Sequence, residues 1–190
     1  MSFRIFGFVN ERMIRERVRC FMESGKGGHA LQSEPLHRIP TIVVDGDACP
    51  VKAEIAGTAR SFGVPVLMVS SFDHRIQAEE GVRVVQVDRS DQSADLYIVN
   101  HVHAGDIVIT QDYGLATIAL AKQCRILSFR GVEFHADNIE FLLARRHAQA
   151  KARRQGKYGK GPKPLTSDDK KNFQAELVKL LTNLQEFHSQ

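Results

Sequence analysis

Thr41-Ile42-Val43-Val44-Asp45-Gly46-Asp47-Ala48-Cys49-Pro50 is the stretch on which the fold turns. A short β-branched, apolar run that ends in an acid and a glycine reads as a buried central strand. Pro50 stands where a first helical residue belongs, Val51, Ile55 and Phe62 follow on one helical face, and Gly63 offers a C-terminal stop. The stretch therefore opens a strand-helix unit, and the same alternation runs outward from it. Val64 to Ser70 is a second strand, with Pro65 tolerable only near its start. Val82 to Val87 is a third. Ser93 can cap a helix through Asp95, Ile98, Val99 and Val102, after which Gly105 and Asp106 introduce a fourth strand, Ile107 to Thr110. A helix from Tyr113 to about Gln123 leads to a fifth, Arg125 to Phe129. Strands alternating with helices of this length predict right-handed crossovers and an α/β fold: a three-layer α/β/α sandwich with a mostly parallel sheet of about five strands.

The flanks read differently. Residues 1–39 carry a charged stretch through Met22 and then Gly25, Lys26, Gly27 and Gly28, which marks them as an N-terminal extension with a composition that tends to disorder. The α/β domain is expected over 40–145, with Asp137, Asn138 and Ile139 opening a helix that turns Leu142 and Leu143 inward and runs into a basic linker or loop, 146–165. Over 166–188 a last helix is signalled by Thr166 with Asp169 three residues on, a capping-box arrangement. Phe173, Leu177, Leu180, Leu181 and Leu184 share one face of it, so it is expected to dock on the domain or to pair with a second copy in a homodimer.

Composition narrows the class. With 43% hydrophobic and 25% charged residues among 190, the chain can bury a core without staples. Cys20, Cys49 and Cys124 are odd in number and widely spaced, which argues against a disulfide framework or a structural zinc site and for a reduced, cytoplasmic setting. The apolar start, Phe3 to Val9, is too short for a membrane span or a signal peptide. The net charge of +4 is mild, but it is segregated. Arg145, Arg146, Lys151, Arg153, Arg154, Lys157, Lys160 and Lys163 follow one another with no acid among them, the footprint expected for phosphate-backbone contacts, and Tyr158 within the run could stack on a base. The competing reading is an ordinary solvated face.

The candidate chemistry lies in acids. Asp45 and Asp47 frame Gly46 at the end of the first strand, and Asp112 stands two residues past the fourth. Open α/β sheets bind ligands outside the carboxyl ends of strands where strand order reverses, so these acids converge if strands one and four are neighbours. Asp95, in the first turn of the helix before strand four, can lean over the same crevice. Each taken alone is an ordinary turn or cap residue. Together they need a cation or bound protons, because two carboxylates about 4 Å apart repel by roughly 4 kcal/mol at an effective dielectric of 20. Mg²⁺ or Mn²⁺ suits such oxygen donors best. Other candidates are poorer: the histidines His29, His37, His74, His101, His103, His135 and His147 are scattered, Ser70 and Ser71 lack a nucleophile-elbow pattern, and Cys49 reads as a packed thiol.

Several strings carry a resemblance. Val44-Asp45-Gly46-Asp47-Ala48-Cys49-Pro50, Ala94-Asp95, Thr110-Gln111-Asp112-Tyr113-Gly114-Leu115-Ala116, Asp137-Asn138-Ile139 and Gly161-Pro162-Lys163 closely resemble the YaiI/YqxD family of bacterial proteins, over about residues 40–185. That family looks like a branch of the PIN-like nucleases, in which acids on a parallel sheet hold Mg²⁺ or Mn²⁺. The resemblance implies that Asp45 is the acid ending the first strand, Asp47 the second acid of the Asp-x-Asp string, Asp95 the acid opening the helix before strand four and Asp112 the acid after that strand. Residues 1–39 have no counterpart in it.

The expectation is accordingly a metal-dependent nuclease, with RNA the favoured nucleic acid, Asp45, Asp47, Asp95 and Asp112 holding the metal, and the basic stretch holding the backbone. One rival is a phosphatase of the haloacid-dehalogenase type, since Asp-x-Asp after an apolar strand also opens that superfamily; Asp45 would then be nucleophile and Asp47 general acid. Against it, Cys49 occupies a place where Thr or Val is preferred there, and Asp106 precedes strand four. The other rival is a nucleic-acid-binding module without turnover.

Overall fold

The structure is a computed structural model that describes residues 38–47, 49–71, 80–88, 93–156 and 163–187, the side chains of 185 and 187 excepted. The first strand is β1, Ile42–Asp45, and the helix after it is α1, Lys52–Phe62. There follow β2, Val66–Ser71, β3, Val82–Val87, α2, Ser93–His101, and β4, Ile107–Ile109. The chain continues through α3, Tyr113–Ala121, β5, Arg125–Leu127, β6, Glu133–Phe134, α4, Ala136–Arg154, and α5, Ser167–Phe187. Among the described residues these strands form one sheet in the order β3-β2-β1-β4-β5-β6, parallel except for β6, which runs antiparallel to β5. The strand order reverses between β1 and β4, which lie side by side with Val43 opposite Val108.

Alternation along the strands builds two cores. Ile42, Val44, Val66, Met68, Ile107 and Ile109 face α1 and α5 and pack on Ile55, Ala59, Phe173, Leu177 and Leu181. Val43, Leu67, Val69, Val108 and Ile126 face the other way and pack on Ile98 of α2, Leu115, Ala116 and Ala119 of α3, and Ile139 of α4. The molecule is thus the expected three-layer sandwich. By the same period of two, Asp45 leaves β1 on the side of Val43, toward α2 and α3. Among the described residues no helix is long and apolar enough to cross a membrane.

Local differences from the expectations have physical reasons. Helix α1 starts at Lys52, not Pro50: Val51 is fully buried and its carbonyl accepts the first helical hydrogen bond, from Ile55, leaving Pro50 exposed just ahead of the cap. The sixth strand is two residues long, too short for any periodicity to announce. Helix α4 carries on to Arg154, so residues 146–154, expected in a linker, are helical. Arg38, assigned to the extension, belongs to the domain through its bidentate pairing with Asp106 at 2.8 and 3.1 Å. Residues 1–37 of the N-terminal extension lie outside the described residues, as do Tyr158, Lys157 and Lys160.

The last helix packs its apolar face on the core shared with α1. Thr166 and Asp169 form the expected reciprocal cap, with Asp169 N–H donating to Thr166 Oγ1 at 3.1 Å and Thr166 N–H donating to Asp169 Oδ2 at 2.8 Å. The apolar face of α5 is taken up by its own chain, where Phe173 and Leu177 are fully buried. Gly131, at φ 77°, lets the β5-β6 turn approach this helix: a Cβ there would meet Asn172 Nδ2 at 2.7 Å and backbone of Asn172 and Phe173 at 3.0 Å. Gly131→Ala is expected to destabilise the protein by about 1–3 kcal/mol. Urea unfolding checks this, and an unchanged midpoint would mean that α5 docks more loosely than these distances require.

Candidate functional site

Strand β1 delivers Asp45 to the switch point, and Thr110, the residue after β4, meets it there. The fully buried Thr110 hydroxyl donates to Asp45 Oδ2 at 3.0 Å and accepts the Asp112 backbone N–H at 3.0 Å. A hydroxyl has one proton to give, so this pair of bonds fixes both the Asp45 carboxylate and the start of the loop that carries Asp112. Asp112 then caps α3, its Oδ1 accepting from the backbone N–H of Gly114 at 2.6 Å and of Leu115 at 3.1 Å. Gly114 is required for this approach: a Cβ there would stand 2.9 Å from Asp112 Oδ1. The other oxygen, Oδ2, accepts from Arg146 Nη1 of α4 at 3.1 Å.

Asp95 lies in the first turn of α2, on the side of the sheet to which Asp45 points. The acids share one electrostatic field. Burial raises the Asp45 carboxyl above its ordinary range, and although the Thr110 hydroxyl opposes this, the charges of Asp47 and Asp112 add to it. Burial likewise raises Asp95, and Asp112 and Asp45 push it further. Asp112 behaves oppositely. Burial acts against its ionisation but is outweighed by the Leu115 N–H, the Arg146 guanidinium and the Gly114 N–H, which together hold it below the usual range. Asp47 turns toward the end of β2, where its Oδ1 accepts the Ser71 N–H at 2.7 Å.

The structure thus brings Asp45, Asp95 and Asp112 to one crevice, with Asp47 at its β2 side. The side chains as placed do not form a finished cage: among the described residues, no three His, Cys, Asp or Glu stand as a ready metal-ligand group. The donor set still fits a small hard dication, because Mg²⁺ keeps several waters and is commonly bound by one or two carboxylates plus substrate phosphate. Two half-buried carboxylates, raised by desolvation and by the charges of neighbouring acids, are what such an ion relieves. Cys49, by contrast, is buried with its thiol pushed up to about 11 by that burial, which suits packing and not nucleophilic attack.

The basic stretch rises from the same edge of the sheet. Because β6 is antiparallel, α4 begins at the amino edge; it runs back along α3 and reaches Asp112 and Tyr113 at Arg146, past the middle of its 19 residues. Arg146 also sits 5.7 Å over the Tyr113 ring. Residues 147–154 then extend about 12 Å beyond the crevice, at 1.5 Å per residue. Every residue from Ala144 to Gln149 is exposed, and so are Lys151, Arg153 and Arg154. The stripe that begins as Ile139, Leu142 and Leu143 against the core continues at helical spacing as Arg146, Ala150 and Arg153. Lys163 lies beyond a gap in the described residues, beside the start of α5, and its carbonyl accepts from Arg130.

Sequence reasoning does not single out Thr110 or the Arg146-Asp112 pair. Thr110 carries a signal of sorts, a hydroxyl between a strand and an acid; the ion pair has none, since it joins residues 34 apart. Asp106 also goes unweighed as a structural acid. It is fully buried and accepts from Arg38, the Thr41 N–H at 2.8 Å and the His103 N–H at 2.9 Å.

Comparison with known proteins agrees with the strings around these acids. The family model described as "Uncharacterized BCR, YaiI/YqxD family" matches residues 43–183. A UPF0178 protein of Bacillus pumilus is 47% identical over 148 residues, covering 77% of this chain and 89% of its own. One from Bacillus velezensis is 45% identical over 144 residues, 75% of this chain and 86% of its own, and one from Listeria welshimeri 41% identical over 145 residues, 76% and 97%. No solved structure gives a significant match. A family match over most of the chain, together with relatives of this identity and coverage, means that the chain belongs to the YaiI/YqxD family.

Proposed function

We propose that this protein is a metal-dependent phosphodiester hydrolase of the PIN-like kind, acting on a nucleic-acid strand and on RNA before DNA. One observation carries the reading: three electrostatically coupled acids at the strand-order switch share their edge of the sheet with an exposed cationic helix that overhangs them. Asp45, Asp95 and Asp112, with Asp47 alongside, would hold Mg²⁺ or Mn²⁺, which when bound supplies an activated water and neutralises charge on the phosphate. Thr110 holds Asp45 in register. Arg145, Arg146, Lys151, Arg153 and Arg154 on α4 attract the backbone, as Lys157, Lys160 and Lys163 further along the chain would.

The test is cleavage of single-stranded RNA and DNA by the purified chain with Mn²⁺, with Mg²⁺ and with EDTA. Metal-dependent scission of either polymer is expected. Failure to cut any of them would overturn the reading in favour of a binding module, and a phosphorylated Asp45 trapped with a phosphomonoester would favour a phosphatase.

Binding makes a separate prediction. For Arg153→Ala with Arg154→Ala, the plot of log affinity for single-stranded RNA against log salt is expected to flatten by about 1.4 in slope, at about 0.7 per phosphate contact. Fluorescence anisotropy across a salt series measures it. An identical slope would remove the end of α4 from the binding surface.

A further inference from the structure

Arg146 differs from the other cations of α4. Its guanidinium reaches back from the helix and covers Asp112 Oδ2, the Asp112 oxygen that is not committed to the α3 cap. It is itself half exposed, and the Tyr113 ring beneath it supports the guanidinium beside the crevice. A dication bound at Oδ2 and a guanidinium bound at Oδ2 carry the same sign of charge and use the same acceptor, so they compete.

We propose, on the functional reading above, that Arg146 is an exchange cation: it neutralises Asp112 while the crevice holds no metal, and on metal binding it transfers to the substrate phosphate as a positioning residue. Displaced from Oδ2 by a dication, the guanidinium is left beside the place where a metal-bound phosphate would sit, and its planar fork matches two phosphate oxygens. Metal and nucleic acid therefore bind with positive coupling, because the ion frees the cation that the phosphate needs. A cation that served only as one more surface charge would show no such coupling.

The experiment uses the full chain and its Arg146→Met and Arg146→Lys variants. Mn²⁺ binding is read from the free-ion electron paramagnetic resonance signal without nucleic acid, and binding of an RNA oligonucleotide with hydrolysis-resistant linkages is read with Mn²⁺ and with EDTA. Arg146→Met is expected to bind Mn²⁺ about threefold to fivefold more tightly than the native chain, the span that the worth of an exposed ion pair allows. Its oligonucleotide affinity is expected to show a smaller Mn²⁺-dependent increase than that of the native chain, the remainder coming from direct contact between ion and phosphate. Arg146→Lys, which keeps the charge without the fork, is expected to retain near-native Mn²⁺ affinity and only part of the native increase. Mn²⁺ affinity that is unchanged or weaker in Arg146→Met overturns the exchange. If the native chain binds Mn²⁺ and Asp45→Asn does not, while Arg146→Met behaves as native, only the exchange fails; if the native chain binds no Mn²⁺, the hydrolase reading fails with it.

Discussion

Asp45→Asn is expected to lower nucleic-acid cleavage by about 10³-fold, roughly 4 kcal/mol of transition-state stabilisation, while leaving the fold intact. The substitution keeps the shape of the side chain and an oxygen that can accept from Thr110, so the position of Asp112 is preserved. What it removes is a negative charge that the proposed reaction needs and the metal-free fold resists. The sign follows from the raised carboxyl. A group whose folded pKa lies above its unfolded value contributes stability that is fully present below the unfolded value, here 3.8, and is lost as pH rises through the folded one. In EDTA at neutral pH the native chain carries that loss and Asp45→Asn does not, so the variant should melt higher. The gap should close as pH falls to about 4, toward the range where Asp45 is protonated in both states. Cleavage assays and thermal melts in EDTA from about pH 4 to 8 read both effects. A variant that cuts as well as the native chain removes Asp45 from the chemistry, and one that melts lower at neutral pH shows that its charge is compensated.

Asp106→Ala is expected to cost about 3 kcal/mol of stability. Its carboxylate is fully buried and receives the Thr41 and His103 N–H groups as well as the Arg38 fork. Truncation leaves the buried Thr41 N–H without its acceptor, and an orphaned buried group costs roughly 1–3 kcal/mol, with the His103 contact and a cavity adding to it. Arg38→Ala leaves the fully buried Asp106 carboxylate with its N–H partners but without its counter-charge, so it is expected to cost about 2 kcal/mol, less than Asp106→Ala, which orphans those N–H groups while Arg38, 44% exposed, returns to water. Urea unfolding of both variants checks the ranking. Equal losses would mean that the ion pair, and not the two backbone hydrogen bonds, holds this corner.

Asp106 and Asp112 stand at opposite ends of the same three-residue strand. In the sequence they look alike, each an aspartate flanking an apolar run. Strand direction separates them: Asp106 lies at the amino edge, where it ties the entry to β1 against the entry to β4, and Asp112 lies at the carboxyl edge, where the order reverses. A similar point holds for the cations. Arg145 and Arg146 are neighbours in the chain, yet the turn of about 100° between them sets only Arg146 on the stripe that runs inward to Asp112.

The alternation of β-branched strands with helical segments was sufficient by itself for the three layers, the parallel sheet and the cap of the last helix, because those features follow from periods of about 2 and 3.6 and from local hydrogen bonding. The acids could be picked out because a strand's end is visible in its composition. Their meeting could not, since it rests on β1 and β4 lying side by side, a pairing of residues 65 apart that local pattern does not encode. Tertiary structure also decided that the basic segment is helical and overhangs the crevice. The antiparallel β6, two residues long, turns the chain so that α4 runs toward the acids instead of away from them, and only packing reports that direction.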